Sequence, residues 1–119
     1  MPVNKAKNHY LGKSQPRLNC AQAVIKAFEE RLGIDETTFR KFASYGSGGA
    51  PQGLCGAYCA ARHLIELRAP EKLKEFETFF FDQAGSLKCT EIRKNKKSSC
   101  LGCVEKAAEF TAGLPDKRL

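Results

Sequence analysis

Five segments of the chain place apolar side chains at helical spacing. In the first, Cys20, Val24 and Phe28 recur at i, i+4 and i+8 and therefore share one face. Asn19 is a preferred N-cap residue, and Gly33 is a residue type that commonly terminates helices. The segment predicts a helix from residue 19 to residue 33, with Cys20 in its first turn and facing inward.

Four later segments have the same period and predict helices at residues 36–44, 52–67, 70–85 and 100–113. Between the last two helices, residues 89–99 predict one turn followed by a loop. No segment shows the alternation of apolar and polar residues that is typical of half-buried strands. The sequence therefore predicts an all-α fold, a compact bundle of four to six helices with a glycine-rich loop before the third helix.

The length of 119 residues fits one domain. Residues 1–18 are polar, basic and aperiodic, and we expect them to form a flexible basic arm. Residues 19–113 then form a cysteine-rich helical domain, and residues 114–119 form a tail.

The net charge of +7 is concentrated in two patches. Residues 1–17 carry four basic side chains and no acid, and residues 88–97 carry five basic side chains against one acid. No aromatic residue interleaves the basic run at 93–97, so we expect a solvated loop and no nucleic-acid partner. The longest apolar run, residues 54–61, is far shorter than the roughly 20 residues of a membrane span. With no signal segment visible, we expect a cytoplasmic protein without a membrane partner.

Cysteine is unusually frequent for a cytoplasmic chain, which points to metal binding or thiol chemistry rather than structural disulfides. The six cysteines are Cys20, Cys55, Cys59, Cys89, Cys100 and Cys103. Only the last two form a compact Cys-x-x-Cys pair, so the four-ligand zinc spacing and the ferredoxin spacings are absent. Any site must be assembled from separate helices, and we expect Cys20, Cys55 and Cys89 to converge in space. With only two histidines in the chain, such a site is mostly thiolate.

Cys55 is the candidate for the chemically central thiol. It follows the glycine-rich loop at 46–53 and lies between Gly53 and Gly56, where little side-chain bulk crowds it. A position in the first turn of a helix favours the thiolate, which is both the metal ligand and the nucleophile. We expect the backbone N–H groups of Gly48, Gly49 and Gly53 to contact sulfur or a substrate; the alternative is a flexible connection between two helices.

Two further side chains on the third predicted helix are candidates. Cys59 lies one turn beyond Cys55 on the same face, where it could ligate a metal, resolve an oxidised partner or simply pack in the core. His63 could be a fourth ligand or a proton donor, or a half-exposed polar residue.

The ordered strings Asn19 to Val24, Gly48 to Ala57, Cys89, and Cys100 to Val104 resemble the family of redox-active proteins described by the motif C_GCAxxG_C_C. The resemblance covers about residues 17–113 and implies a small helical domain with redox-active cysteines. One departure is that Gly49 stands where the motif GCAxxG has a cysteine. Cys59 or Cys103 could supply the missing thiol.

Three functions follow from these observations as hypotheses. The leading one is a redox protein that carries electrons to or from a partner protein through an iron–sulfur cluster or a dithiol/disulfide pair. Its ligands or thiols would come from Cys20, Cys55, Cys89, Cys100 and Cys103. The second is a binding module stabilised by zinc or disulfides, and the third is a small thiol enzyme with Cys55 as nucleophile. The redox partner, the substrate and any homodimer stay open at this stage.

Overall fold

A computed structural model of the protein describes residues 2–12, 18–28, 33–43, 45, 53–95 and 99–113. Within these residues there are seven α-helices and a 3₁₀ turn at Pro70–Lys72 that leads into the fifth helix. The helices are α1 (Pro2–Leu11), α2 (Cys20–Ala27), α3 (Glu36–Lys41), α4 (Gly56–Arg68), α5 (Leu73–Ala84), α6 (Cys89–Asn95) and α7 (Cys100–Ala112). No strand occurs in the described residues, and one isolated antiparallel bridge joins Leu54 to Lys88. The all-α prediction is confirmed.

The core lies between α1, α2, α4 and α7. Helix α2 packs against the other three, and α7 packs against α1 and α4 as well. The largest aliphatic side chains at these contacts are fully buried, among them Ile25, Leu64 and Val104. Small residues such as Ala57 and Ala107 are also fully buried, which lets the helices approach closely.

The first helix corrects the expectation of a flexible arm at residues 1–18. Pro2–Leu11 forms α1, which packs against α2 and α7. Ala6 is fully buried, and the Lys7 ammonium pairs with the Glu105 carboxylate at 3.3 Å. Polar and basic residues obscured the pattern, because the described apolar contacts of α1 come only from Ala6 and the partly buried Tyr10. Residues 13–17 and the predicted tail at 114–119 lie outside the described residues.

An aromatic cluster joins α5 to the bundle. The Tyr58 ring stacks on Phe76 with centroids 5.4 Å apart, and Phe76 also contacts Phe80 at 5.9 Å and Phe110 at 5.1 Å. These rings come from α4, α5 and α7. Burial of large aromatic side chains contributes strongly to stability, so this cluster fixes α5 along one side of the bundle.

Side-chain caps determine where three helices begin. Asn19 and Ser99 accept hydrogen bonds from the N–H groups of Gln22 and Gly102, at 2.7 and 2.9 Å, and start α2 and α7. Asp35 caps α3 through the N–H of Thr38 at 2.9 Å. Polar caps of this kind satisfy N–H groups that the helix itself leaves unpaired.

Two boundaries differ from the predictions. Helix α4 begins at Gly56 rather than near residue 52, because Gly53 has a φ of +71° and Leu54 pairs with Lys88 in extended conformation. Residues 89–95 form the full helix α6 rather than one turn, and Ile92 on it is buried. No helix in the described part of the chain is both long and apolar enough to cross a membrane.

Candidate functional site

Three buried thiols from three helices come together in the core. Cys20 lies in the first turn of α2, Cys55 at the start of α4 and Cys103 in the first turn of α7. Their exposed fractions are 5%, 4% and 2%. We call these three residues the thiol cluster.

The backbone around Cys55 holds its side chain at the N-cap of α4. Cys55 is extended, with φ −63° and ψ 130°, and its N–H donates to the carbonyl of Leu87 at 2.7 Å. The hydroxyl of Ser86 accepts from the N–H of Lys88 and donates to the Glu91 carboxylate, which fixes the segment that Cys55 pairs with. The position of Cys55 thus depends on a segment more than 30 residues further along the chain.

Cys20 reaches the cluster because Gly56 leaves room for it. A Cβ atom at Gly56 would lie 2.7 Å from the Cys20 sulfur and 2.5 Å from the Tyr45 carbonyl oxygen. Real side chains do not approach so closely, so the site requires glycine. The side-chain amide of Asn19 donates to the carbonyls of Phe42 and Ala43, which ties the start of α2 to the end of α3.

The surroundings of Cys55 favour its protonated form. A hydrogen bond with the Cys103 side chain raises the pKa of the Cys55 thiol well above its ordinary value. Burial and the negative charge that Cys103 and Cys20 carry when ionised act in the same direction. The backbone N–H of Tyr58 lowers the pKa, but this contribution is smaller.

This electrostatic environment is the reverse of the one expected from the sequence. The N-terminal position of Cys55 does bring a backbone N–H toward the sulfur, as the sequence indicated. Removal from water and a second thiol outweigh it. Cys55 is therefore a buried thiol at neutral pH rather than an activated thiolate.

Cys20, Cys55 and Cys89 were expected to converge in space. The groups that shift the Cys55 pKa are Cys103, Tyr58 and Cys20, and Cys89 is not among them. Cys89 is buried at the start of α6, outside the main core cluster. The side chain of Cys100 and the residues Gly48 and Gly49 lie outside the described part of the chain.

A metal site was expected from Cys20, Cys55, Cys89, Cys100 and Cys103. Among the side chains that the structure describes, no three from His, Cys, Asp and Glu are arranged as a metal-binding group. Thiolates are ligands that suit iron–sulfur clusters and zinc. The five described cysteines, which are Cys20, Cys55, Cys59, Cys89 and Cys103, are all free of disulfide bonds.

Cys59 is separate from the thiol cluster and is the one described cysteine that is only partly buried. Burial raises the pKa of its thiol to about 11, and the charge of Arg62 partly opposes this. It opens into a cavity of about 330 Å³ between α3 and α4. We call this cavity the outer groove, and its lining residues are Lys41, Phe42, Tyr45, Leu54, Cys59, Arg62, His63 and Glu66.

His63 is half-buried in the outer groove, with its ring edge-to-face with Phe42 at 5.6 Å between centroids. Burial, and then the positive charge of Lys41, lower the pKa of the imidazole, while Glu66 raises it to a lesser extent. His63 is thus a neutral, half-exposed side chain at pH 7, which matches the simpler of the two sequence interpretations.

A family model described as Putative redox-active protein (C_GCAxxG_C_C) matches residues 18–114. The chain belongs to this family. No curated protein and no solved structure matches the chain. All three members of the thiol cluster lie within the range that the redox-active family model matches, and α1 lies outside it.

Cys103 is the member of the site whose role the sequence reasoning underestimated. The sequence pattern that could have identified Cys103 is its helical spacing with Ala107 and Thr111. This spacing places all three on one buried face of α7. The outer groove was missed because Lys41 on α3 and Arg62 on α4 are far apart in sequence and only the fold places both at one cavity.

Proposed function

We propose that this protein is a thiol-based redox protein in which Cys55 and Cys103 cycle between a dithiol and a disulfide. The observation that carries the proposal is the hydrogen bond between these two buried side chains, which come from different helices. Membership of the redox-active family supports it at the level of general function.

The chemistry balances with a disulfide as the oxidant. The S–H bonds of Cys55 and Cys103 break and one S–S bond forms between their sulfurs. Two electrons and two protons pass to the partner disulfide, which becomes two thiols. Disulfide exchange requires a thiolate, and Cys55 is protonated at neutral pH. We therefore expect the exchange at Cys55 to become faster as the pH rises.

Cys20 serves this pair as a third, neighbouring thiol. Its sulfur packs against Gly56, and its negative charge when ionised raises the Cys55 pKa further. A neighbouring thiol keeps Cys55 protonated and gives a second partner for exchange if Cys103 is removed.

The test is to purify the protein anaerobically, measure its metals and acid-labile sulfide, oxidise it, and map its disulfides by mass spectrometry without reduction. We expect metal-free protein that loses two thiols and yields a peptide pair linking Cys55 to Cys103. Cys103→Ser should abolish this pair, and the matched variant Cys89→Ser should retain it.

The same measurement separates the alternatives that thiolate ligands suggest. Iron with acid-labile sulfide, lost in Cys55→Ser and Cys103→Ser, would replace the dithiol proposal with an iron–sulfur cluster. One zinc per chain, lost in the same variants, would replace it with a structural zinc module.

A further inference from the structure

Neither thiol of the proposed redox pair is accessible to a partner. Cys55 is 4% exposed and Cys103 is 2% exposed. Cys59 is partly exposed, and its side chain opens into the outer groove one helical turn beyond Cys55. The turn between them is helical, since the Cys59 N–H donates to the Cys55 carbonyl at 3.0 Å.

We propose that the outer groove binds a small disulfide that carries carboxylate groups, and that Cys59 exchanges with it and passes the disulfide inward to Cys55. This inference rests on the proposed Cys55–Cys103 redox pair and names its substrate class and its route of access.

The size and charge of the outer groove favour such a ligand. A cavity of about 330 Å³ lies within the range of small-molecule sites. Its walls carry the cations Lys41 and Arg62 and the single acid Glu66, which pairs with Arg62 at 3.2 Å. The Lys41 ammonium lies 6.0 Å from the centroid of the Phe42 ring, at the wall of the groove. This leaves a net positive charge for a carboxylate to neutralise.

A charged residue that lines the outer groove acts on the Cys59 sulfur. Burial raises the pKa of the Cys59 thiol, and the positive charge of Arg62 opposes this, so Arg62 stabilises negative charge at this sulfur during attack. The neutral imidazole of His63 lines the same groove. The groove thus combines a binding charge with a thiol.

The relay takes three exchanges. Cys59 attacks the external disulfide RSSR, forms Cys59–S–S–R and releases one RS⁻. Cys55 attacks the Cys59 sulfur, forms Cys55–Cys59 and releases the second RS⁻. Cys103 then attacks the Cys55 sulfur and regenerates the Cys59 thiol. In sum, RSSR and two thiols give two RSH and the Cys55–Cys103 disulfide.

Helix geometry permits the middle step. Residues i and i+4 of a helix have Cα atoms about 6 Å apart, which is within the range of about 4.4–6.8 Å found in disulfides. The Cα spacing of Cys55 and Cys59 is therefore compatible with the intermediate disulfide.

The experiment compares oxidation of the reduced full chain by dithiodiglycolate, which carries two carboxylates, by the neutral bis(2-hydroxyethyl) disulfide, and by hydrogen peroxide. We expect dithiodiglycolate to form Cys55–Cys103 about tenfold faster than the neutral disulfide, since electrostatic steering raises association rates by tenfold or more. In Cys59→Ser, the rate of Cys55–Cys103 formation should fall at least tenfold with dithiodiglycolate. The rate with hydrogen peroxide should not fall, because peroxide does not have to bind in the outer groove. In Cys55→Ser, the mixed disulfide should accumulate and map to Cys59.

The charge requirement has its own matched pair of variants. Lys41→Gln should reduce the preference for dithiodiglycolate over the neutral disulfide several-fold. Lys74→Gln, which removes the same charge from an exposed site on α5 outside the groove, should not. Equal effects of the two variants would overturn the groove as the binding site.

Failure of the relay and failure of the redox pair give different results. If Cys59→Ser forms Cys55–Cys103 with dithiodiglycolate at the unmodified rate, or if the mixed disulfide maps to another cysteine, the relay is wrong and the redox pair stands. If no oxidant links Cys55 to Cys103 in the unmodified protein, the redox pair is wrong and the relay falls with it.

Discussion

Gly56 sets how closely α2 and α4 approach beside the thiol cluster. A methyl group there would meet the Tyr45 carbonyl oxygen at 2.5 Å and the Cys20 sulfur at 2.7 Å. Gly56→Ala must therefore push the helix starts apart, and we expect it to lower the free energy of unfolding by about 1–3 kcal/mol. Urea unfolding followed by circular dichroism measures the loss.

The matched control for this variant is Gly113→Ala at the end of α7. Its new Cβ would lie 3.4 Å from the Phe110 carbonyl oxygen, an ordinary contact, and its φ of −80° suits any residue. We expect a change of less than about 0.5 kcal/mol, as for most surface substitutions. If both variants lose the same stability, the close approach at Gly56 is not what the site depends on.

The raised pKa values of Cys55 and Cys59 make stability depend on alkaline pH. The unfolded chain releases these thiol protons near pH 8.5, whereas native Cys59 keeps its proton up to about pH 11 and native Cys55 is also shifted upward. Above pH 8.5 the unfolded state thus binds fewer protons than the native state, and stability falls as pH rises. Urea midpoints of the reduced protein at pH 7, 8.5 and 10 should be flat at first and then decline.

Variants assign that decline to individual thiols. Cys59→Ala removes one of the two groups, so the loss of stability between pH 8.5 and 10 should be smaller than in the unmodified protein. Cys55→Ala should reduce it likewise. An unchanged slope in both variants would show that other groups cause the alkaline decline.

At the scale of elements, Asn19 performs two tasks for α2. Its side-chain oxygen caps the helix at the Gln22 N–H, and its side-chain nitrogen donates to the carbonyls of Phe42 and Ala43 at the end of α3. Asn19→Ala removes both, and we expect it to cost about 1–2 kcal/mol, as other lost caps do.

Asn19→Asp separates the two tasks, because a carboxylate keeps the cap and cannot donate to the carbonyls. We expect a smaller effect than Asn19→Ala on the start of α2, with loosening of the α2–α3 contact. Amide hydrogen exchange should show more exchange at α3 while α2 keeps its protection. Equal loss of protection in both helices in Asn19→Asp would contradict this division.

Local signals account for the elements that the sequence predicted well. Asn19 and Asp35 each act on an N–H group three residues away, so their effect is visible in a short window of sequence. The late start of α4 was not visible, because it depends on the bridge between Leu54 and Lys88, which are distant in sequence. Helix α1 was missed since its stability comes from α2 and α7 rather than from its own apolar pattern.

At the scale of the whole molecule, the sequence predicted the general redox chemistry better than it predicted which cysteine side chains lie together. Cys20 and Cys55 were expected together because each begins a helix whose inward face was visible, and the charge of Cys20 does act on the Cys55 thiol. Whether Cys89 or Cys103 lies beside Cys55 depends on how α6 and α7 lie against α4. No local sequence pattern determines that arrangement. The burial that raises the Cys55 pKa is likewise a property of the packed bundle.

Oxidation of the Cys55–Cys103 pair should change the stability of the whole bundle. The disulfide would join α4 to α7 and close a loop of about fifty residues, which restricts the unfolded chain and contributes about 4 kcal/mol in the chain-entropy account. We expect the oxidised protein to unfold at a higher urea concentration than the reduced protein, with a correspondingly higher Tm.

The serine variants test whether the Cys55–Cys103 disulfide causes the gain in stability on oxidation. Cys55→Ser, which removes the thiol common to every disulfide proposed for this site, should show the same urea midpoint with and without oxidant, while Cys89→Ser should retain the full difference, because Cys89 is not part of the pair. The buried thiols lie within hydrogen-bonding reach, so the bond should form without moving the helices. An oxidised protein that carries the Cys55–Cys103 bond and is less stable than the reduced one would mean that α4 and α7 must shift to form it. The bundle would then be built for the dithiol state alone.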